Sequence, residues 1–259
     1  MNQAVFRFYA ELNDFLPTRR RRITFAYRFD EGQSVKHLIE ALGVPHTEVD
    51  LVLVNGESVG FGYLARDGDR VSVYPVFESM DISPVARVRP RPLREPCFVL
   101  DTHLGRLATY LRMLGFDTLY RNDYGDEELA RISSSEGRIL LSRDRGLLKR
   151  RVVTHGYCLR EINPRRQLSE ILRRFDLYGA TRPFQRCLRC NGLLQDVSKE
   201  AVQEQLPPRT SRYYDEFRRC EGCGRIYWKG SHYERMRRLV DQVVSQGRSD
   251  GDADLSDEP

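Results

Sequence analysis

The chain has 259 residues, of which 40% are hydrophobic and 31% charged, with a net charge of +5. That composition supports folded cores and favours two domains, or two plus a small module. No stretch reaches the roughly 18 apolar residues of a membrane span, and the first ten residues lack a basic region followed by an apolar run. No signal peptide is therefore expected, and a cytoplasmic location follows by default. The charge is uneven. Residues 1–80 carry 9 Lys/Arg against 11 Asp/Glu, whereas residues 96–240 carry 28 against 18, a net +10. A basic block suits a polyanionic substrate such as nucleic acid; solvated surface arginines are the alternative.

Residues 1–80 read as a self-contained α+β unit. Val5–Ala10 alternates as a strand, and Ile23–Tyr27 pairs with it naturally. Ser34 can cap a helix built on Val35, Leu38, Ile39 and Leu42, with Gly43 ending it. The strand Leu51–Val54 runs into an Asn55-Gly56 turn, and Asp67-Gly68-Asp69 turns into a last strand, Arg70–Val76. Two strands, a helix and further strands is the β-grasp order. Arg19–Arg22 lies in the first hairpin, where a solvated loop is the expectation and an RNA contact the alternative.

The stretch "LVNGE…DGDRVSVYPVF" resembles the ubiquitin-like sulfur carriers of the ThiS and MoaD type. Those carriers act through a C-terminal diglycine. Here the chain continues through Phe77-Glu78-Ser79-Met80 into another domain, so carrier chemistry is not expected and a docking or binding role remains. Residues 81–95, with Pro84, Pro90, Pro92 and four arginines, read as an extended linker.

The next block carries acids at strand ends. Phe98-Val99-Leu100 is a buried strand that stops on Asp101. A helix then follows on Leu104, Leu107, Ala108, Leu111 and Leu114, and Gly115 ends it. Phe116–Tyr120 is a short strand, after which Asp126 opens another helix. Ile139–Leu141 is a third buried strand, ending at Ser142-Arg143-Asp144. Each aspartate alone could cap the following helix. Three strand–acid–helix junctions within about 45 residues place the acids along one sheet edge, where ligands collect in open α/β sheets. Neighbouring carboxylates repel unless a cation sits between them, and all-oxygen sites favour magnesium or manganese.

Six cysteines are present. Cys187-Leu188-Arg189-Cys190 and Cys220-Glu221-Gly222-Cys223 form two CxxC knuckles, the spacing of a structural Cys₄ zinc site. Two disulfides or a redox dithiol is the alternative. Arg218, Arg219, Arg225, Tyr227, Trp228 and Lys229 flank the second knuckle and suit single-stranded RNA. Packing under the ribbon is the competing role, favoured for Trp228. Cys97 and Cys158 read as buried thiols. The tail, 241–259, reads as acidic and disordered from about Gln246.

"FVLDTHLGRLATYLRMLGFDT…DEEL…RILLSRDRGLL" resembles the Mut-seven C-terminal ribonuclease family, a branch of the PIN-like nucleases. The resemblance covers Pro96 to Val240. It implies a PIN-like parallel-sheet nuclease domain at 96–180 and a zinc ribbon at 181–240, and some bacterial members carry a ubiquitin-like domain in front. It also implies a Mg²⁺- or Mn²⁺-dependent ribonuclease with Asp101, Asp126 and Asp144 as metal-binding acids, Asp123 and Glu127 being substitutes for Asp126. A fourth acid has no obvious position. Arg106, Arg112, Arg143 and Arg145 would hold the RNA backbone, or serve only as polar-face residues. His103, beside Asp101, is more readily a structural hydrogen-bonder than a base. The rival is a non-catalytic RNA-binding adaptor that uses the ribbon and the basic surface. The third possibility is that the β-grasp domain docks a protein partner and the nuclease acts on that partner's RNA.

Overall fold

A computed structural model describes residues 1–75, 87–88 and 96–253. The described chain forms two compact units, Met1–Asp101 with Tyr124–Leu159, and Thr102–Asp123 with the chain from Arg160 onward.

The first unit begins with the β-grasp domain. Its strands are β1 (Asn2–Phe8), β2 (Phe25–Phe29), β3 (Leu51–Val54), β4 (Glu57–Ser58) and β5 (Arg70–Tyr74). They lie in the order β2-β1-β5-β3-β4, with β1 and β5 parallel. Alternation along β1 buries Ala4, Phe6 and Phe8 on one face. Helix α1 (Val35–Ala41) contributes Val35, Leu38 and Ile39 to the core, and the Ser34 hydroxyl caps it by accepting the His37 N–H. Asn55-Gly56 makes the tight turn between β3 and β4, both residues at positive φ. The second strand begins two residues later than the sequence pattern suggests. Arg22, at φ 56°, turns the chain there, and its N–H is held by the Asn13 side chain at 2.6 Å.

After β6 (Phe98–Leu100) the chain leaves this unit for α2 (Gly105–Met113) and β7 (Thr118–Leu119), which belong to the second. It returns for α3 (Asp126–Glu136), β8 (Ile139–Ser142), α4 (Arg145–Leu148) and β9 (Gly156–Cys158), the parallel α/β half of the first unit. β6 pairs in parallel with β8, and β8 with β9. Phe98, Val99, Leu100, Leu140 and Leu141 are all fully buried, as parallel strands covered on both faces should be.

The β-grasp domain is tied to this sheet. β9 ends the strand order, and β8 takes up only one of its edges. The outward N–H of Cys158 is accepted by the Glu48 carboxylate, and Glu48 is completely buried. The His46 ring, 5% exposed, lies between Glu40 Oε1 and the Val153 carbonyl, each at 2.7 Å. Lys149 Nζ donates to the Glu40 carbonyl at 2.7 Å, and burial pushes its pKa down. Gly156 admits this approach, because a Cβ there would meet the Leu148 side chain at 2.8 Å and Thr47 Cγ2 at 3.4 Å. Of the segment read as a linker, only Arg87 and Val88 lie among the described residues.

In the second unit, α2 packs against α5 (Pro164–Arg174), and Leu107, Ala108 and Leu111 of α2 and Leu168, Ile171 and Leu172 of α5 are buried. Asn163 caps α5 by accepting the Arg165 and Arg166 N–H groups. The ribbon is an antiparallel sheet of β10 (Leu194–Val197), β11 (Phe217–Cys220) and β12 (Ile226–Trp228). Between β10 and β11 lies the short helix α6 (Pro208–Tyr213). Helix α7 runs over Ser231–Ala253, so the stretch read as disordered from Gln246 is helical as far as Ala253. Helix propagation from the anchored first turns accounts for the difference, since each added residue gains a hydrogen bond without a new nucleus. No helix among the described residues is long and apolar enough to cross a membrane.

Candidate active site and metal centre

The strand-end aspartates sit where parallel pairing places them. Leu100 and Leu141 are register partners, so Asp101 and Ser142 are the next step at the carboxyl ends of β6 and β8. The Asp101 N–H bonds the Leu141 carbonyl at 3.1 Å. Ser142, fully buried, donates its hydroxyl to Asp101 Oδ2 at 2.6 Å, and the Ser142 Oγ itself accepts the Asp144 N–H at 2.9 Å. One hydroxyl thus links the two aspartates. Sequence reasoning passed over Ser142; the available signal was a polar residue closing an otherwise apolar strand.

Capping separates the acids. Asp144 is the N-cap of α4, with Oδ1 accepting the Gly146 N–H at 2.6 Å. Its Oδ2 makes no hydrogen bond among the described residues. Asp101 is not the cap of α2: a 3₁₀ turn over Thr102–Leu104 intervenes, and the N-cap position is Leu104. Asp126 occupies the first position of α3 behind the cap residue Gly125, where a negative charge suits the helix dipole. Its carboxylate faces Arg150 at 3.7 Å, an exposed pair that the sequence reasoning missed. Asp123 is held by Arg121 through two bonds of 2.9 and 2.6 Å, which keep its carboxyl below the usual range. Asp101, Asp126 and Asp144 do not form a three-residue ligand group with atoms within 4.8 Å of one another among the described residues.

The arginines divide in the same way. Arg106, Arg143 and Arg145 are exposed, and Arg145 lies over the Phe15 ring at 4.9 Å. Arg112 departs from the phosphate-binding expectation. It is 3% exposed, with its guanidinium on the carbonyls of Thr118 (2.9 Å), Leu188 (3.2 Å) and Arg189 (2.9 Å). Three carbonyl acceptors suit the guanidinium fork, and its burial removes it from solvent. It braces the first cysteine knuckle. Asn191 helps, its side chain accepting the Thr118 N–H and donating to Asp117.

The cysteines do gather. The four Sγ atoms of Cys187, Cys190, Cys220 and Cys223 all lie within 4.8 Å of one another. Cys187 and Cys223 are 3.6 Å apart, and Cys190 and Cys220 3.3 Å. A tetrahedral zinc–thiolate cage needs about 3.8 Å between sulfurs, from zinc–sulfur bonds of about 2.3 Å. All six cysteines are free of disulfides. Gly192 leaves room for the sulfurs, because a Cβ there would stand 3.0 Å from Cys220 Sγ. Burial pushes the Cys187 thiol up, but the Tyr227 hydroxyl and the N–H groups of Cys190 and Arg189 outweigh it and bring it down to about 6. Burial and the neighbouring sulfurs raise Cys190 to about 12, because thiolates this close cannot all ionise without a cation. The Tyr227 hydroxyl lies 3.1 Å from Cys187 Sγ and accepts the Leu188 N–H. Trp228 packs against Val202, Leu206 and Phe217, in keeping with the packing role. Cys158 is buried as expected, whereas Cys97 is only partly so.

The family of the Mut7-C RNAse domain matches residues 96–240, and the Mut7-C ubiquitin family matches residues 1–81. The chain belongs to the Mut7-C RNAse domain family. Its four-cysteine cluster and parallel α/β sheet both lie within the matched Mut7-C region. Comparison with curated proteins finds no match. Among solved structures, H. volcanii small archaeal modifier protein 1 is 20% identical, and a structure titled SAMP1 from Haloferax volcanii is 19% identical. Each match covers 30% of this chain and 100% of the other, at a TM-score of 0.25. Membership of the Mut7-C RNAse family points to a nuclease or RNA-related function.

Proposed function

We propose that this chain is a divalent-metal-dependent ribonuclease whose reaction centre is the ledge formed by Asp101, Ser142 and Asp144, with Asp126 as the third acid. One observation supports this above all: the Ser142 hydroxyl joins the Asp101 carboxylate and the Asp144 amide at adjoining strand ends of an RNAse-family domain. The donor set is carboxylate and hydroxyl oxygen, the chemistry that Mg²⁺ or Mn²⁺ takes. Asp144 Oδ2 is open to a cation even though Oδ1 caps α4. Bound there, the ion would lower the pKa of a coordinated water and offset charge on the phosphate oxygens. Asp101 and Asp144 would hold it, and Ser142 fixes which way the Asp101 carboxylate turns. Arg143, exposed and next to Asp144 in the chain, would take a phosphate oxygen through its fork of donors. The four cysteines would hold a structural zinc, a closed site with no open position for catalysis.

RNA cleavage with Mn²⁺ or Mg²⁺, with chelator, and with Asp101→Asn plus Asp144→Asn tests this. Wild type is expected to cleave only with the ion, and the double variant to lose cleavage. A double variant as active as wild type overturns the reading. The Asp144 cap and the Asp126–Arg150 pair favour a second reading, a non-catalytic RNA-binding adaptor. RNA bound but uncut with every divalent ion would decide for it.

A further inference from the structure

Trp228 borders two cavities of the second unit. One, of about 660 Å³, includes Asp196, Asp215 and Glu216 in its wall. The cations there are neutralised, Arg218 by Asp196 at 2.9 Å and Lys229 by Glu216. The other cavity, of about 770 Å³, has no carboxylate in its wall. It falls in the size range of small-molecule sites.

That second wall joins cations to aromatic rings. Arg189 comes from within the first knuckle, Arg209 from α6 and Arg225 from the turn between β11 and β12. All three are exposed, and none has a side-chain hydrogen bond or ion pair among the described residues. Tyr213, at the end of α6, is 68% exposed although it faces this cavity. The Arg212 guanidinium already lies 5.7 Å from the Tyr213 ring, and no acid in this wall competes with a ligand for Arg189, Arg209 and Arg225. Pairing in the adjoining cavity shows that this fold does neutralise its arginines where acids are at hand.

We propose that this cavity binds an unpaired nucleotide of single-stranded RNA, the base against Tyr213 and Trp228 and the flanking phosphates on Arg189, Arg209 and Arg225. Bases stack on aromatic rings whatever their identity, and arginines take the backbone, so such a site holds a strand without choosing a sequence. Double-stranded RNA keeps its bases stacked and is excluded. The choice of RNA as the polymer rests on the ribonuclease reading, but binding here needs neither the aspartates nor a divalent ion.

Trp228 is the single tryptophan of the chain, so its fluorescence reports on this cavity directly. Zinc-loaded full-length protein is titrated with a short oligouridylate, without added Mg²⁺ or Mn²⁺, alongside a duplex RNA. Saturable quenching by the single strand and little by the duplex is expected. Tyr213→Ala should weaken binding about tenfold, the scale of one base–aromatic stack. Arg209→Gln with Arg225→Gln should lower the slope of log affinity against log salt by about 0.7 for each phosphate that is no longer neutralised. These side chains are exposed, so unchanged thermal melting confirms that the variants fold. Affinity within twofold of wild type in both variants, read with a labelled oligonucleotide, overturns the proposal. Quenching without any cleavage would sink the ribonuclease reading and leave the pocket standing; cleavage without quenching would do the reverse.

Discussion

The cysteine centre and the aspartate ledge reach different stages of assembly from the chain alone. Each cysteine pair is local, two ligands on one tight turn, so two turns and one strand pairing bring four sulfurs within 4.8 Å. The aspartates come singly from separate strand ends and helices. Ser142 joins Asp101 to Asp144, while Asp126 faces Arg150. Backbone geometry completes a site when ligands share a turn. The three junctions leave their acids apart, held by a bridging hydroxyl, a helix cap and an ion pair.

Breaking each site in turn tests that difference. Cys187→Ser with Cys220→Ser should have the largest effect. Structural zinc contributes on the order of 10 kcal/mol to the fold it closes, so zinc content by atomic emission should fall toward zero and the ribbon should unfold. A full zinc complement would overturn the Cys₄ assignment. Arg112→Ala should cost about 3 kcal/mol in thermal unfolding, because it leaves three knuckle and strand carbonyls without their donor. Unchanged stability with weakened RNA binding would return Arg112 to the phosphate role. Ser142→Ala should lower cleavage about tenfold or more, with melting much less affected, as outer-shell partners of a metal site do. Cleavage at the wild-type rate would make Ser142 no more than a strand-end filler. Tyr227→Phe should be mildest, with zinc affinity about tenfold weaker in chelator competition and the ribbon still folded.

Local rules carried the sequence reading a long way. The Ser34 cap, the Asn55-Gly56 turn, the buried strands at Phe98 and Ile139 and the two knuckles each depend on residues within a few positions of one another. What stayed hidden depends on distant partners. Arg112 meets carbonyls 76 and 77 residues away, and Ser142 meets Asp101 at a separation of 41. Spacing alone cannot tell an arginine that holds a phosphate from one that braces a turn. The strand-end positions of Asp101 and Asp144 were legible, but the orientations of their carboxylates were not. Capping, a bridging hydroxyl and an ion pair separate Asp144, Asp101 and Asp126 although all three follow the same pattern.

The Glu48 carboxylate on the outer N–H of β9 has a consequence for dissecting the molecule. A fragment beginning near Pro96 would strip that strand of its cover and bare an open ladder, the template on which strands of separate molecules zip together. The ubiquitin-like region covers this edge of the parallel sheet. Solubility of the severed half should recover when residues 1–75 are supplied as a separate polypeptide.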